Sequence, residues 1–136
     1  MPKIRILIVD NDENTLITLK ALLLAQEPFN IDTALSGKEA LAKIADNFRY
    51  DIAIMDIMMP EMSGIDVCKV MNQDEALKKI PVLLMSSAVP LPPDEFHASL
   101  RKSDDLEVVK GVIDKPFNVS NILEKIYQTV KLYPIK

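Results

Sequence analysis

Residues 52–64 read Ile52-Ala53-Ile54-Met55-Asp56-Ile57-Met58-Met59-Pro60-Glu61-Met62-Ser63-Gly64. The four apolar residues Ile52 to Met55 show no polar alternation, which predicts a short strand buried on both faces. An acid, Asp56, ends the run. Pro60 and Gly64 punctuate the stretch that follows, and Gly64 to Asn72 reads as a helix. A buried strand, an acid-bearing loop and a helix in succession are the unit from which parallel α/β sheets are built.

The same unit recurs on either side. Ile4 to Val9 is β-branched and almost wholly apolar, and Glu13 to Gln26 follows with Leu16, Leu19 and Leu23 at helical spacing. Phe29 to Leu35 reads as a weaker strand. Ala40, Leu41, Ile44, Ala45 and Phe48 then form a helical stripe. Beyond the central unit, Pro81 to Met85 is a fourth strand and Glu95 to Lys102 a helix. Val108 to Ile113 is a fifth strand, interrupted by Lys110 and Gly111. Val119, Ile122, Leu123, Ile126, Val130 and Tyr133 line one face of a last helix, with Asn118 as its N-cap and Pro134 as its stop. The proline-rich run Val89 to Pro93 is a loop within the domain. Strands alternating with helices in this way predict right-handed βαβ crossovers and a doubly wound parallel sheet. One domain is expected over residues 1–136, with its core from about residue 4 to residue 133.

Composition narrows the function. The chain has 136 residues, 49% of them hydrophobic, and a formal net charge of -4, which argues against a basic footprint for nucleic acid or anionic membrane. A single cysteine, Cys68, excludes an internal disulfide. Met1 to Ile4 runs into the first strand without a signal-peptide pattern, and no apolar run approaches the ~18 residues of a membrane span. A cytoplasmic location is expected.

Polar residues gather at the strand ends. The first strand ends in Asp10-Asn11-Asp12, the third in Asp56, the fourth in Ser86-Ser87 and the fifth in Asp114-Lys115. In a parallel sheet these ends share one edge, where ligands bind. Acids brought together repel one another, and a hard divalent cation would offset that repulsion. A lysine and a hydroxyl beside a metal-bound carboxylate suit phosphoryl transfer. Several residues have plainer readings. Asn11 or Asp12 can cap the first helix, Cys68 and Met71 fall at core positions, and His97 has no evident partner. Packing accounts for the cluster Met55, Met58, Met59 and Met62.

The blocks Ile6-Leu7-Ile8-Val9-Asp10, Met55 to Gly64, Pro81 to Ser86 and Lys115-Pro116-Phe117 together resemble the response-regulator receiver domain of two-component signal transduction. They occur in that family's order and extend the likeness from about Ile4 to Tyr133. The resemblance implies a flavodoxin-like (αβ)5 fold with strand order 2-1-3-4-5. It implies that Asp56 accepts a phosphoryl group from the phosphohistidine of a sensor histidine kinase or phosphotransfer protein, and that a downstream effector reads the result. Mg2+ would be held by Asp10, Asn11, Asp56 and the Met58 carbonyl. Ser86 and Lys115 would contact the phosphoryl group, with a cis Lys115–Pro116 bond aiming the lysine. Such a domain promotes its own phosphorylation and dephosphorylation and is not a turnover enzyme.

Three features depart from the family pattern. Asn11 stands where a second acid is usual. Val112 stands where an aromatic switch residue is common. The stretch from Ser86 to Lys115 is long, and its loop from Ala88 to Asp94 and the helix after it are expected to carry the switch instead. The alternative is a degenerate receiver that binds partners without phosphate. An aspartate-nucleophile phosphatase fits poorly, because a D-x-D alone is weak and the chain has no room for a cap. A flavodoxin-like cofactor binder lacks its glycine-rich loop.

Overall fold

The β-branched runs form five parallel strands: β1 (Arg5–Val9), β2 (Asn30–Ala34), β3 (Ile52–Asp56), β4 (Val82–Ser86) and β5 (Val109–Asp114). They lie in the order β2-β1-β3-β4-β5, as the resemblance implies. The computed structural model describes residues 3–46, 50–86, 106–115 and 118–133. Within these, four α-helices accompany the strands: α1 (Glu13–Gln26), α2 (Gly37–Asp46), α3 (Gly64–Asn72) and α4 (Val119–Leu132). The helix expected at Glu95 to Lys102, the proline loop, Ser87, Phe48, Pro116, Phe117 and Pro134 fall outside the described residues.

Alternation along the strands divides the core in two. Ile6, Ile8, Ile52, Ile54, Leu83 and Met85 meet Leu16, Leu19 and Leu23 of α1 and Ile122 and Ile126 of α4 on one face. Leu7, Val9, Ala53, Met55, Val82 and Leu84 meet Ala40 and Ile44 of α2 and Val67, Cys68 and Met71 of α3 on the other. Cys68 is a core residue whose thiol burial pushes up to about 12, so it is an inert apolar filler.

Three local expectations need correction. Ala45 points to solvent, because the α2 stripe narrows to Ala40 and Ile44 with Leu41 at its margin. Met58 does not pack with its methionine neighbours. It is 63% exposed, while Met55 and Met59 are buried. In the loop beyond β3 its neighbours Ile57 and Met59 turn inward to the core, and Met58 between them turns to solvent. Lys110 does not break β5. The strand runs through it, with a register shift that pairs Val82 with Val109 and Leu83 with Gly111, leaving Lys110 as the extra residue of a bulge.

Two connections fix the carboxyl edge of the sheet. Asp12 caps α1, taking the Asn14 N–H at 3.0 Å and the Thr15 hydroxyl at 2.9 Å. After β3 the chain passes through Glu61, in the left-handed region at φ 65, and enters α3 by a Ser63–Asp66 capping box. At Gly64 the backbones nearly touch: a Cβ there would lie 2.3 Å from the Asp56 carbonyl oxygen. Only glycine fits this approach.

Candidate functional site

Strand register sets the site. Val9 pairs with Met55, so Asp10 and Asp56 leave adjacent strands at one level. Ser86 pairs with Asp114 on the far side, and the Lys115 N–H donates to the Ser86 carbonyl at 2.7 Å. The fold thus gathers Asp10, Asp56, Ser86 and Lys115 along one edge, although Asp10 and Lys115 lie 105 residues apart in sequence. Asp10, Asp56 and Ser86 are all buried.

The Lys115 ammonium stands 2.9 Å from Asp10 Oδ2 and 3.4 Å from Asp56 Oδ2. The remaining carboxylate oxygens are engaged from the backbone. Asp10 Oδ1 accepts from the Asp12 N–H at 2.9 Å, and Asp56 Oδ1 from the Met58 N–H at 3.3 Å. The latter contact is long and weak. Burial raises the pKa of Asp56 above the ordinary carboxylate range, and the charge of Asp10 adds to this. Lys115 and the Met58 N–H oppose the shift without cancelling it. For Lys115, burial acts to lower the pKa, but the hydrogen bond and charge of Asp10, and then the charge of Asp56, outweigh it and leave the ammonium above its usual value. The group is a firm cation between two anions.

Of the remaining candidates, Asn11 is exposed beside Asp10. Met58 contributes its N–H to Asp56 and projects its side chain into solvent. Val112 is buried among the residues of the Leu84 cluster. The cis-peptide reading of Lys115–Pro116 falls outside the described residues. Gly64, read from sequence only as punctuation before a helix, supports the Asp56 backbone. Its signal was a glycine at the first position of a helix, where nothing but close packing calls for one.

Among the described residues no three or more His, Cys, Asp or Glu side chains gather as a metal cluster. The donor set is nevertheless of the right kind for a hard cation. Asp10 and Asp56 supply carboxylate oxygens, with the Asn11 amide next to Asp10 in sequence and the Met58 main-chain carbonyl two residues after Asp56. Mg2+ is commonly bound by one or two carboxylates and keeps several waters.

Comparison with known proteins identifies the family. The family model described as the response regulator receiver domain matches residues 6–127. The response regulator ArlR of Staphylococcus aureus is 27% identical over 97% of this chain and 55% of its own length. The chain thus spans about half the length of the curated relatives it matches. A CheY-like receiver domain protein from Methanospirillum hungatei superposes with a TM-score of 0.79 at 25% identity, covering 97% of each chain. The chemotaxis response regulator CheY4 of Vibrio cholerae superposes with a TM-score of 0.76 at 26% identity, covering 94% of this chain and 99% of its own. The sheet order, the strand-end acids and lysine, and the family match over most of the sequence lead to one conclusion: the chain belongs to the response regulator receiver domains of two-component signalling.

Proposed function

We propose that Asp56 is the phosphoryl acceptor of this receiver domain, charged by the phosphohistidine of a sensor histidine kinase or phosphotransfer protein. The observation that carries the reading is the sharing of one ammonium, Lys115, between two buried carboxylates at 2.9 and 3.4 Å. Such an arrangement is costly for stability, because burial disfavours both anions, and it suits a site that must accept further negative charge. An Asp56 carboxylate oxygen attacks phosphorus, the bond from phosphorus to the donor nitrogen breaks, and the leaving imidazole keeps the electron pair. Lys115 neutralises charge on the transferring oxygens. Ser86, at the neighbouring strand end, donates its hydroxyl to a phosphoryl oxygen. Asp10, Asn11, Asp56 and the Met58 carbonyl would hold Mg2+, which receiver domains bind at this site. When bound, the ion supplies positive charge against the phosphoryl oxygens.

Asn11 and Val112 support a second reading, a receiver that signals without phosphate. One places a neutral amide where an acid would strengthen cation binding. The other buries an aliphatic side chain that has no ring to swing. One experiment separates the two. Intact mass after treatment with acetyl phosphate and Mg2+ should rise by one phosphoryl group in the native chain and remain unchanged in Asp56→Asn. A native chain that takes up nothing supports the phosphate-independent reading. A mutant that labels equally well removes Asp56 as the acceptor.

A further inference from the structure

Helix α1 is apolar on two sides. Leu16, Leu19 and Leu23 are buried against the sheet. Ile17 and Leu24 face outward, 60% and 43% exposed, with exposed Ala21 between them. A helix lying on a domain surface ordinarily turns a polar face to water. Beside Ile17 opens a cavity of about 180 Å³ lined by Glu13, Leu16, Ile17, Lys20, Thr33 and Leu35. Leu35 adds a second large apolar surface, 44% exposed. The cavity has an apolar floor with a carboxylate and an ammonium on the same helix. Glu13 and Lys20 are two turns apart, about 10 Å along the axis, and Ile17 lies between them.

We propose that a second copy of this chain packs here, its α1 antiparallel to the first, on a two-fold axis beside Ile17. The charges select this occupant. Rotation about Ile17 sets Glu13 opposite the partner's Lys20 and Lys20 opposite the partner's Glu13, so both pairs attract. A parallel arrangement would place like charge on like charge. A two-fold contact requires a patch complementary to itself, and this one is complementary only when reversed. Each Ile17 enters the cavity of the other copy, between Leu16 and Leu35. Small Ala21 leaves room for the stem of the partner's Glu13. The antiparallel helix dipoles add to the attraction. The patch is small and exposed ion pairs contribute little, so the dimer is weak, with a Kd on the order of 0.1 mM. The contact does not depend on the phosphoryl chemistry.

Sedimentation equilibrium of the full chain, over concentrations bracketing that value, tests the proposal. A monomer–dimer equilibrium is expected. Ile17→Lys should weaken it by about tenfold or more, and Glu13→Lys by about fivefold. The double variant Glu13→Lys with Lys20→Glu should recover native affinity, because both pairs re-form with signs exchanged. Circular dichroism verifies that each variant is folded. A chain that stays monomeric throughout overturns the proposal and leaves the face to a different protein. Dimers indifferent to Ile17→Lys, or a double variant no stronger than Glu13→Lys alone, overturn it as well.

Discussion

The two ends of the sheet treat their polar groups in opposite ways. Toward the amino ends of the strands, two contacts among the described residues each pair one donor with one acceptor. The Arg5 N–H donates to Asp51 Oδ2 at 2.8 Å, and the Tyr50 hydroxyl donates to Asp32 Oδ2 at 2.6 Å. Burial, together with Asp32, pushes the Tyr50 pKa up, so the phenol stays protonated and remains a donor. At the carboxyl ends one ammonium serves two carboxylates, and Asp56 is held above its ordinary pKa. The two lower pairs match one donor to one acceptor and serve stability. The upper end retains unrelieved repulsion, which is what a site awaiting a cation and a phosphoryl group would show.

The largest test of this contrast removes the shared cation. Lys115→Met should slow phosphate incorporation from acetyl phosphate on the order of 10²-fold. Asp51→Asn, in one of the lower pairs, should leave the rate within about twofold. Comparable rates for the native chain and Lys115→Met, followed by intact mass, would show that the lysine takes no part.

A smaller change adds charge where the upper end is short of it. Asn11→Asp should tighten Mg2+ binding by about tenfold, read by calorimetry, because cation affinity follows ligand charge. Equal affinities would mean that Asp12 already supplies the charge. Asp12 is occupied as the α1 cap, with its pKa lowered first by the Thr15 hydroxyl and then by the Asn14 N–H.

The exposed Met58 gives a subtler probe. Its thioether cannot orient a water beside Asp56. Met58→Asn should therefore speed loss of phosphate by roughly three- to tenfold. An unchanged half-life would show that water reaches phosphorus by another path.

The smallest effects are in stability, and they should differ in sign. Tyr50→Phe should cost about 1 kcal/mol, the net value of a hydrogen bond. Asp56→Asn should stabilise the fold by about 1 kcal/mol at neutral pH, because it removes a buried charge. The raised pKa of Asp56 fixes the pH dependence. Its protonated form is favoured in the fold, so that contribution is complete below the ordinary value of 3.8 and is lost as pH rises through the folded value. The melting-temperature gain of Asp56→Asn should accordingly shrink from neutral pH toward pH 4. A gain that grows on acidification would contradict the electrostatic account.

Strands were readable because burial on both faces leaves an uninterrupted apolar run, as in Ile52 to Met55. The bounds of α1 and α3 agree with the helical stretches read at Glu13 to Gln26 and Gly64 to Asn72, whereas the choice of Asp12 over Asn11 as cap and the Ser63 capping box came with the structure. Asp10, Asp56 and Lys115 could be brought together on paper because a parallel sheet places all its carboxyl ends on one edge. Other features depend on coordinates that local pattern does not encode. The bulge at Lys110 is a matter of pairing between strands, and Gly111 alone suggested only an interruption. Met58 looked like core by composition, but the loop turns its neighbours Ile57 and Met59 inward and leaves Met58 facing out. The outer stripe of α1 is hidden in the sequence because Ile17, Ala21 and Leu24 interleave with the buried leucines. A helix apolar on two sides shows no preferred face by periodicity.

Gly64 has a mechanical consequence. With α3 starting against the Asp56 carbonyl, the loop from Ile57 to Ser63 acts as a splint and not as a hinge. No gap remains between strand and helix in which a small movement could dissipate, and packed interiors pass strain on. A shift of the β3 end by a fraction of an ångström would thus be delivered to α3 as rigid travel, and α3 would carry it into the layer it shares with α2.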